Sequence, residues 1–138
     1  MSLTDTLLQL DANKVEEKPT KEIEIKRLSR LAGKKVMFKC QALDGQTYGD
    51  IQRMSIDISK KGDFKDIKIF ETQLMTCVEG IIDPDLKDEK LLKHYNVSTP
   101  KALIKKILLP GEIADLRDVI DKLSGYESDE DEEDVKNS

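Results

Sequence analysis

The chemically reactive side chains in this sequence are few and widely spaced. There is one histidine, His94, and there are two cysteines, Cys40 and Cys77. A cysteine nucleophile needs an imidazole beside it and a third group to orient that imidazole, and a zinc site needs about four nitrogen or sulfur ligands. Cys40 lies on the apolar face of a predicted strand and Cys77 on that of a predicted helix, so we interpret both as small core residues. We therefore expect no catalytic residue, no metal and no cofactor.

The charged pairs also favour structural roles. Asp83 and Asp85 flank a proline and are typical of a turn. The basic pairs at 60–61 and 105–106 have no aromatic residues between or beside them, whereas a nucleic-acid platform usually combines both. No glycine-rich phosphate loop ending in "GKS" or "GKT" is present. The sequence thus indicates neither an enzyme nor a nucleic-acid-binding protein.

The net charge of −5 comes from one end of the chain. Residues 127–134, "ESDEDEED", hold seven of the 28 acidic residues, which leaves 21 acidic against 22 basic residues in 1–126. Such a block repels itself, so we predict that it is disordered. It could keep the protein soluble, contact a basic partner or shield an apolar surface, or mimic nucleic-acid phosphate.

The length of 138 residues predicts one domain with short tails. We divide the chain into an N-terminal arm and linker (1–20), a single α+β domain (21–126) and the disordered acidic tail (127–138). No run of about 18 apolar residues predicts a membrane span, and the N-terminus lacks the features of a secretory signal. With two distant cysteines, an intracellular protein with reduced thiols is expected.

The predicted fold is an N-terminal β-hairpin packed against about four to five helices, with disordered termini. Two segments alternate apolar and polar residues, "KEIEIKRL" at 21–28 and "KKVMFKCQAL" at 34–43, and Gly33 marks the loop between them. The longest apolar stripe, in "FKDIKIFETQLMTCVEGII", predicts a helix that lies across the hairpin. Thr47 is the predicted cap of the helix before it.

The C-terminal part is predicted to contain three helices. Asp88 caps the first, Asn96 ends it in the left-handed conformation, and Thr99 caps the second. The stretch "KKILLPGEIADL" then breaks at Pro110-Gly111 and begins the third helix. We expect Leu108 to anchor this corner in the core, whereas the neighbouring Leu109 could reach a partner.

The segment from 83 to 126 resembles the XkdN-like phage tail assembly chaperones. The residues that carry the resemblance are "PDLKD" at 84–88, "YNV" at 95–97, "LLPGE" at 108–112 and the pair Gly125-Tyr126. The start "SLTDTLLQ" and the strand "KVMFKCQAL" are also similar to the family. Asn96 stands where glycine is expected, and the tail "ESDEDEED" is more acidic than usual for the family.

The resemblance implies a non-enzymatic protein that works in the cytoplasm of the bacterial host and is absent from the mature virion. Its implied partner is the tape measure protein, a long helical polypeptide with apolar stretches. The tail tube protein and further copies of the same chain are additional candidate partners. Neither nucleic acid nor a membrane is expected as a partner.

Apolar residues at both ends of the chain are the candidates for contact with a partner. In the N-terminal arm, Leu3, Leu7 and Leu8 recur at helical spacing, and near the C-terminal corner the candidates are Leu109, Ile113 and Leu116. Two other function classes remain open at this stage. One is an acidic-tailed regulatory or DNA-mimic protein of a mobile element, and the other is a minor structural tail protein.

Overall fold

The computed structural model describes residues 2–60 and 65–126. In these residues it has the predicted α+β architecture, with eight helices and three antiparallel strands. The strands are β1 (Thr20–Glu24), β2 (Met37–Gln41) and β3 (Ile81–Asp83). The helices are α1 (Leu3–Gln9), α2 (Ala12–Glu16), α3 (Lys26–Ala32), α4 (Gly45–Lys60), α5 (Lys65–Gly80), α6 (Glu89–His94), α7 (Pro100–Ile107) and α8 (Pro110–Leu123).

The predicted antiparallel hairpin is confirmed as the pair β1–β2, in which Ile23 lies opposite Phe38. Its connection is a helix and not the predicted loop. α3 begins directly after Ile25 and ends at Gly33, whose φ of +72° allows the left-handed turn. Ser29 Oγ on α3 accepts a hydrogen bond of 2.8 Å from the Val36 backbone N–H, which holds the helix against the start of β2.

The third strand was not predicted from the sequence. β3 pairs antiparallel with β2, and the sheet order is β1-β2-β3. The predicted helix continues through Ile81. In the structure α5 ends at Gly80, and Ile81 begins the strand. Ile81 is buried in the strand, and it would face the core equally in a last helical turn. Its apolar character alone therefore could not distinguish the two.

Helix capping agrees with the sequence in the C-terminal part and differs before it. Asp88 Oδ1 accepts from Leu91 N–H at 2.9 Å, and Thr99 Oγ1 accepts from Ala102 N–H at 3.1 Å, as predicted. Asn96 has the expected positive φ, 56°. The cap of α4 is Asp44 and not Thr47, because the Asp44 carboxylate accepts from the Thr47 N–H at 2.7 Å.

The core lies between the sheet and the helices. α8 packs on β1 and β2, whereas α5 packs on α4, α7 and α8. The prediction that α5 covers the hairpin is therefore wrong in detail: α8 is its main cover. The side chains exposed by less than 2% are Leu74, Leu103, Ile104, Ile113, Leu116, Ile120, Cys40 and Cys77.

The structure describes the N-terminal arm from Ser2 onward but not the C-terminal tail. The segment predicted as a polar linker contains α2, and every residue from Ser2 to Thr20 is exposed. Residues 127–138, predicted to form a disordered acidic tail, lie outside the described residues. The division into an arm, one domain and a tail remains a prediction.

Candidate protein-binding surfaces

The corner between α7 and α8 places two neighbouring leucines in opposite environments. α7 ends at Ile107, and Leu108 follows it as the C-cap with only 4% of its surface exposed. Leu109, the next residue, is 52% exposed. The expectation that Leu108 anchors the corner is confirmed, and Leu109 is free to contact another molecule.

An ion pair holds this corner against the connection between β1 and β2. Arg27 Nη2 donates to Glu112 Oε1 at 2.8 Å and to the carbonyl oxygen of Ile107 at 2.8 Å. Glu112 Oε1 also accepts from the Leu109 N–H at 2.8 Å, at the N-terminus of α8. A charge-assisted pair of this geometry fixes orientation as well as proximity, so it positions the backbone that carries Leu109.

The same contacts change the ionisation of Glu112. The hydrogen bond from Arg27, with smaller help from the Leu109 N–H and from the charge of Arg30, lowers the pKa of the Glu112 carboxyl below its ordinary value. Partial burial opposes this shift. Glu112 is therefore ionised at neutral pH, and the ion pair with Arg27 is complete there.

A cleft of about 550 Å³ opens beside this ion pair. We call it the corner cleft. Its walls carry both signs of charge beside apolar side chains. The lining residues are Ile23, Glu24, Ile25, Lys26, Arg27, Arg30, Leu109, Glu112, Asp115 and Leu116. Such a surface can contact an apolar side chain and charged groups of either sign at once.

The described part of the N-terminal arm and linker, residues 2–20, presents its leucines to solvent; below we call it the arm. Leu3 is 74% exposed, Leu7 58% and Leu8 79%, and α1 contains no buried residue. α1 is nevertheless capped on its own: Ser2 Oγ accepts from the Asp5 N–H at 3.1 Å, and the Asp5 carboxylate accepts from the Ser2 N–H at 3.3 Å. The predicted helix with unpartnered leucines is thus present.

Two of the six candidate residues are not available for contact. Ile113 is 1% exposed and Leu116 is fully buried, both in the core cluster with Leu103 and Ile104. Both side chains pack inside the domain, so the structure does not expose them to a partner as the sequence analysis expected. Leu3, Leu7, Leu8 and Leu109 are exposed, and their role in partner binding stays a prediction.

A second depression, which the sequence analysis missed, lies between α3, β2, α6 and the end of α7. We call it the apolar groove. Its volume is about 370 Å³, and its lining residues are Leu28, Leu31, Ala32, Val36, Phe38, Pro84, Leu91, Tyr95 and Ile107. Leu31 on its rim is 76% exposed. The spacing of Leu28 and Leu31 before Gly33 was the available signal, because three-residue spacing followed by glycine is typical of a short helix.

The two cysteines lie in the core, as predicted. Cys40 and Cys77 are fully buried, and burial raises the pKa of their thiols to about 11 and about 12. His94 packs edge-on against Tyr95, with ring centroids 4.8 Å apart. Within residues 2–60 and 65–126 no cluster of three or more histidine, cysteine or acidic residues could hold a metal ion. None of the helices described here is long and apolar enough to cross a membrane.

The described residues thus form a small α+β protein with exposed leucines, a mixed-charge cleft and an apolar groove. The model of the phage XkdN-like tail assembly chaperone family matches residues 5–136. The chain therefore belongs to that family.

Comparison with solved structures supports the same fold. The crystal structure of the protein YqbN is similar with a TM-score of 0.55 and 19% sequence identity, over 78% of this chain and 87% of that one. At this identity the likeness concerns the fold alone. Among proteins with curated descriptions, none matches this chain.

Proposed function

We propose that this protein is a non-enzymatic tail assembly chaperone that binds the tape measure protein and keeps it soluble while the tail assembles. It acts in the cytoplasm of the bacterial host and is not part of the finished particle. The tail tube protein is a second candidate client. Membership of the chaperone family supports the role in tail assembly, and the nature of the client follows from what that family implies.

The observation that carries the proposal is the position of Leu109. This apolar side chain is half exposed, although it lies on a backbone held by Glu112 and, through Glu112, by Arg27. A rigidly positioned apolar side chain beside a cleft suits the apolar face of an amphipathic client helix. Because the loss of entropy on binding is smaller for a preorganised surface, even a small contact of this kind gives useful affinity.

Repetition along the client strengthens such weak contacts. A tape measure protein presents many helical stretches, so several copies of the chaperone can coat one client. Coating covers apolar stretches that would otherwise associate with each other, and each bound copy adds its own charge to the complex. The acidic segment at 127–134 contributes seven negative charges per copy, which repel neighbouring coated complexes.

The first experiment is co-expression of this chain with a tape measure protein. The variant Leu109→Asp should keep its melting temperature within a few degrees, since Leu109 is half exposed, and should recover at least tenfold less client by co-purification. The soluble fraction of the tape measure protein should fall in parallel.

The matched control is Ile56→Asp on α4, because Ile56 has the same exposed fraction of 52%. This variant should bind the client as the unchanged protein does. Normal client recovery with a folded Leu109→Asp variant would remove the corner from the binding surface. Detection of this chain in purified particles at a stoichiometry comparable to that of tail proteins would contradict its role as an assembly factor.

A further inference from the structure

We propose that the apolar groove binds helix α1 of a second copy of this chain, so that copies associate by exchanging their N-terminal arms. The inference is independent of the client proposed above. It rests on an exposed leucine stripe, an exposed apolar groove and opposite charge on the two.

The arm has an apolar face that its own domain leaves uncovered. Leu3 and Leu7 lie four positions apart on one side of α1, and Leu10 follows as the C-cap of the helix. Their exposed fractions are 74%, 58% and 51%. A helix with one continuous apolar stripe is typical of an element that packs into a groove.

The groove offers the complementary surface. Its lining side chains are mostly aliphatic or aromatic, and Leu31 is more exposed than any other large apolar side chain described after residue 20. The depression runs between two short helices, α3 and α6, and is floored by Phe38 of β2. A groove that is open to solvent and has an apolar floor can accept a helix from another molecule.

The first residues of the arm are acidic, whereas the exposed residues next to the groove's lining residues in the sequence are mostly basic. Residues 2–13 contain two acidic side chains, Asp5 and Asp11, and no basic one. Exposed basic residues adjoin the groove's lining residues in the sequence at four positions, Arg30, Lys35, Lys90 and Lys106. Among the same sequence neighbours of the lining residues, the acidic ones are Asp83 and Asp85, on either side of Pro84. Long-range attraction therefore orients an approaching arm.

In the isolated chain the arm does not occupy its own groove, which leaves the groove open to a second copy. The backbone of Pro19 accepts from the Ala42 N–H at 3.0 Å, and Lys18 pairs with Asp44 at 3.5 Å. These contacts hold the arm beside the C-terminal end of β2. Val36, which lines the groove, lies just before the N-terminal end of the same strand. The two positions are about 20 Å apart along an extended strand, and the arm, from Ser2 onward, is solvent-exposed in the isolated chain.

The test uses cysteines introduced into the full-length protein. Leu7→Cys in one preparation and Leu31→Cys in another are mixed and mildly oxidised, with an affinity tag on one of them. We expect a disulfide-linked heterodimer to form at least tenfold faster than with Val15→Cys in place of Leu7→Cys. Val15 is the control because it is 65% exposed but lies on α2, outside the stripe. The native thiols add no background, since both are buried.

A double variant, Leu7→Cys with Leu31→Cys, distinguishes the two routes by which the arm could reach a groove. Arm exchange gives cross-linked dimers. A cross-linked monomer as the main product would place the arm in its own groove and overturn the proposal, as would a heterodimer rate equal to that of the Val15 control.

Association without cysteines is the second readout. The variants Leu31→Asp and Leu7→Asp should each weaken self-association at least tenfold in sedimentation experiments, while Val15→Asp should not. All three sites are exposed, so the melting temperature should change little. A protein that stays monomeric at every concentration tested would contradict the proposal, whatever its effect on the client.

Discussion

Glu112 performs two functions with one carboxylate. It accepts a hydrogen bond at the N-terminus of α8, where a negative charge is favoured by the helix dipole. It also pairs with Arg27, which lies 85 positions earlier in the sequence. The first role follows from the position of Glu112 in the first turn of α8, two residues after Pro110. The sequence could not predict the second, because nothing local indicates which distant arginine will face a given glutamate.

This pair predicts a pH dependence with a definite sign. The pKa of Glu112 is lower in the folded protein than its ordinary value of 4.5, so the unfolded chain binds more protons in the interval between the two values. Its contribution to stability is therefore present above pH 4.5 and is lost as the pH falls through the folded pKa. Glu112→Gln should lower the melting temperature by a few degrees at pH 7, and the difference from the unchanged protein should shrink on acidification.

Thermal melts from pH 3 to pH 7 measure this difference. The control Asp115→Asn removes an exposed carboxylate of the same helix without touching the ion pair and should leave the melting temperature almost unchanged. A constant difference between Glu112→Gln and the unchanged protein at every pH would show that the Glu112 charge adds nothing to stability.

Helix α5 and helix α8 meet at a glycine. A Cβ atom added to Gly80 would lie 2.4 Å from Ile120 Cδ1 and 2.7 Å from Ile120 Cγ1. Ile120 is fully buried, so it has little room to move. The absence of a side chain at Gly80 thus sets how closely the two helices approach.

We expect Gly80→Ala to destabilise the fold by about 1–3 kcal/mol, the usual cost of an overpacked core. Chemical denaturation measures this change. The double variant Gly80→Ala with Ile120→Val should recover part of the loss, because the smaller side chain makes room for the added methyl group.

Gly49→Ala is the matched control. Gly49 lies inside α4, and a Cβ there would meet no atom within 4 Å. This substitution should be neutral or stabilising, by up to about 1 kcal/mol. Equal effects at Gly49 and Gly80 would mean that close helix packing does not explain the glycine at 80.

The elements with strong local signals were predictable, and those defined by packing were not. α7 has an N-cap at Thr99, α8 begins at Pro110, and both helices have apolar stripes, so both were predicted. α3 was missed because Ile23 and Ile25 suggested a strand through residue 28, whereas the strand stops at Glu24. The apolar stripe of α8 indicates that Ile113 and Leu116 are buried. Their prediction as partner contacts overlooked that a small sheet must pack its apolar face against a helix of the same domain, which here is α8.

At the scale of the whole molecule, the body and the acidic tail are predicted to act separately. A variant that ends at Tyr126 should bind the tape measure protein with unchanged affinity, because the candidate contact residues lie elsewhere. Its soluble yield with the client should be lower, since seven acidic residues are lost. Pull-down and solubility assays compare the two proteins. Loss of client binding on truncation would instead favour a partner recognised through the acidic tail.

The late position of α8 in the chain has a consequence for synthesis on the ribosome. Its buried face, Ile113, Leu116 and Ile120, completes the core with residues made much earlier, such as Leu74 and Phe38. Until that last helix emerges, the nascent polypeptide carries an unfinished interior that is open to non-specific contacts. A translation product interrupted at the Leu109-Pro110 junction would keep this interior open and should be a substrate for proteolysis.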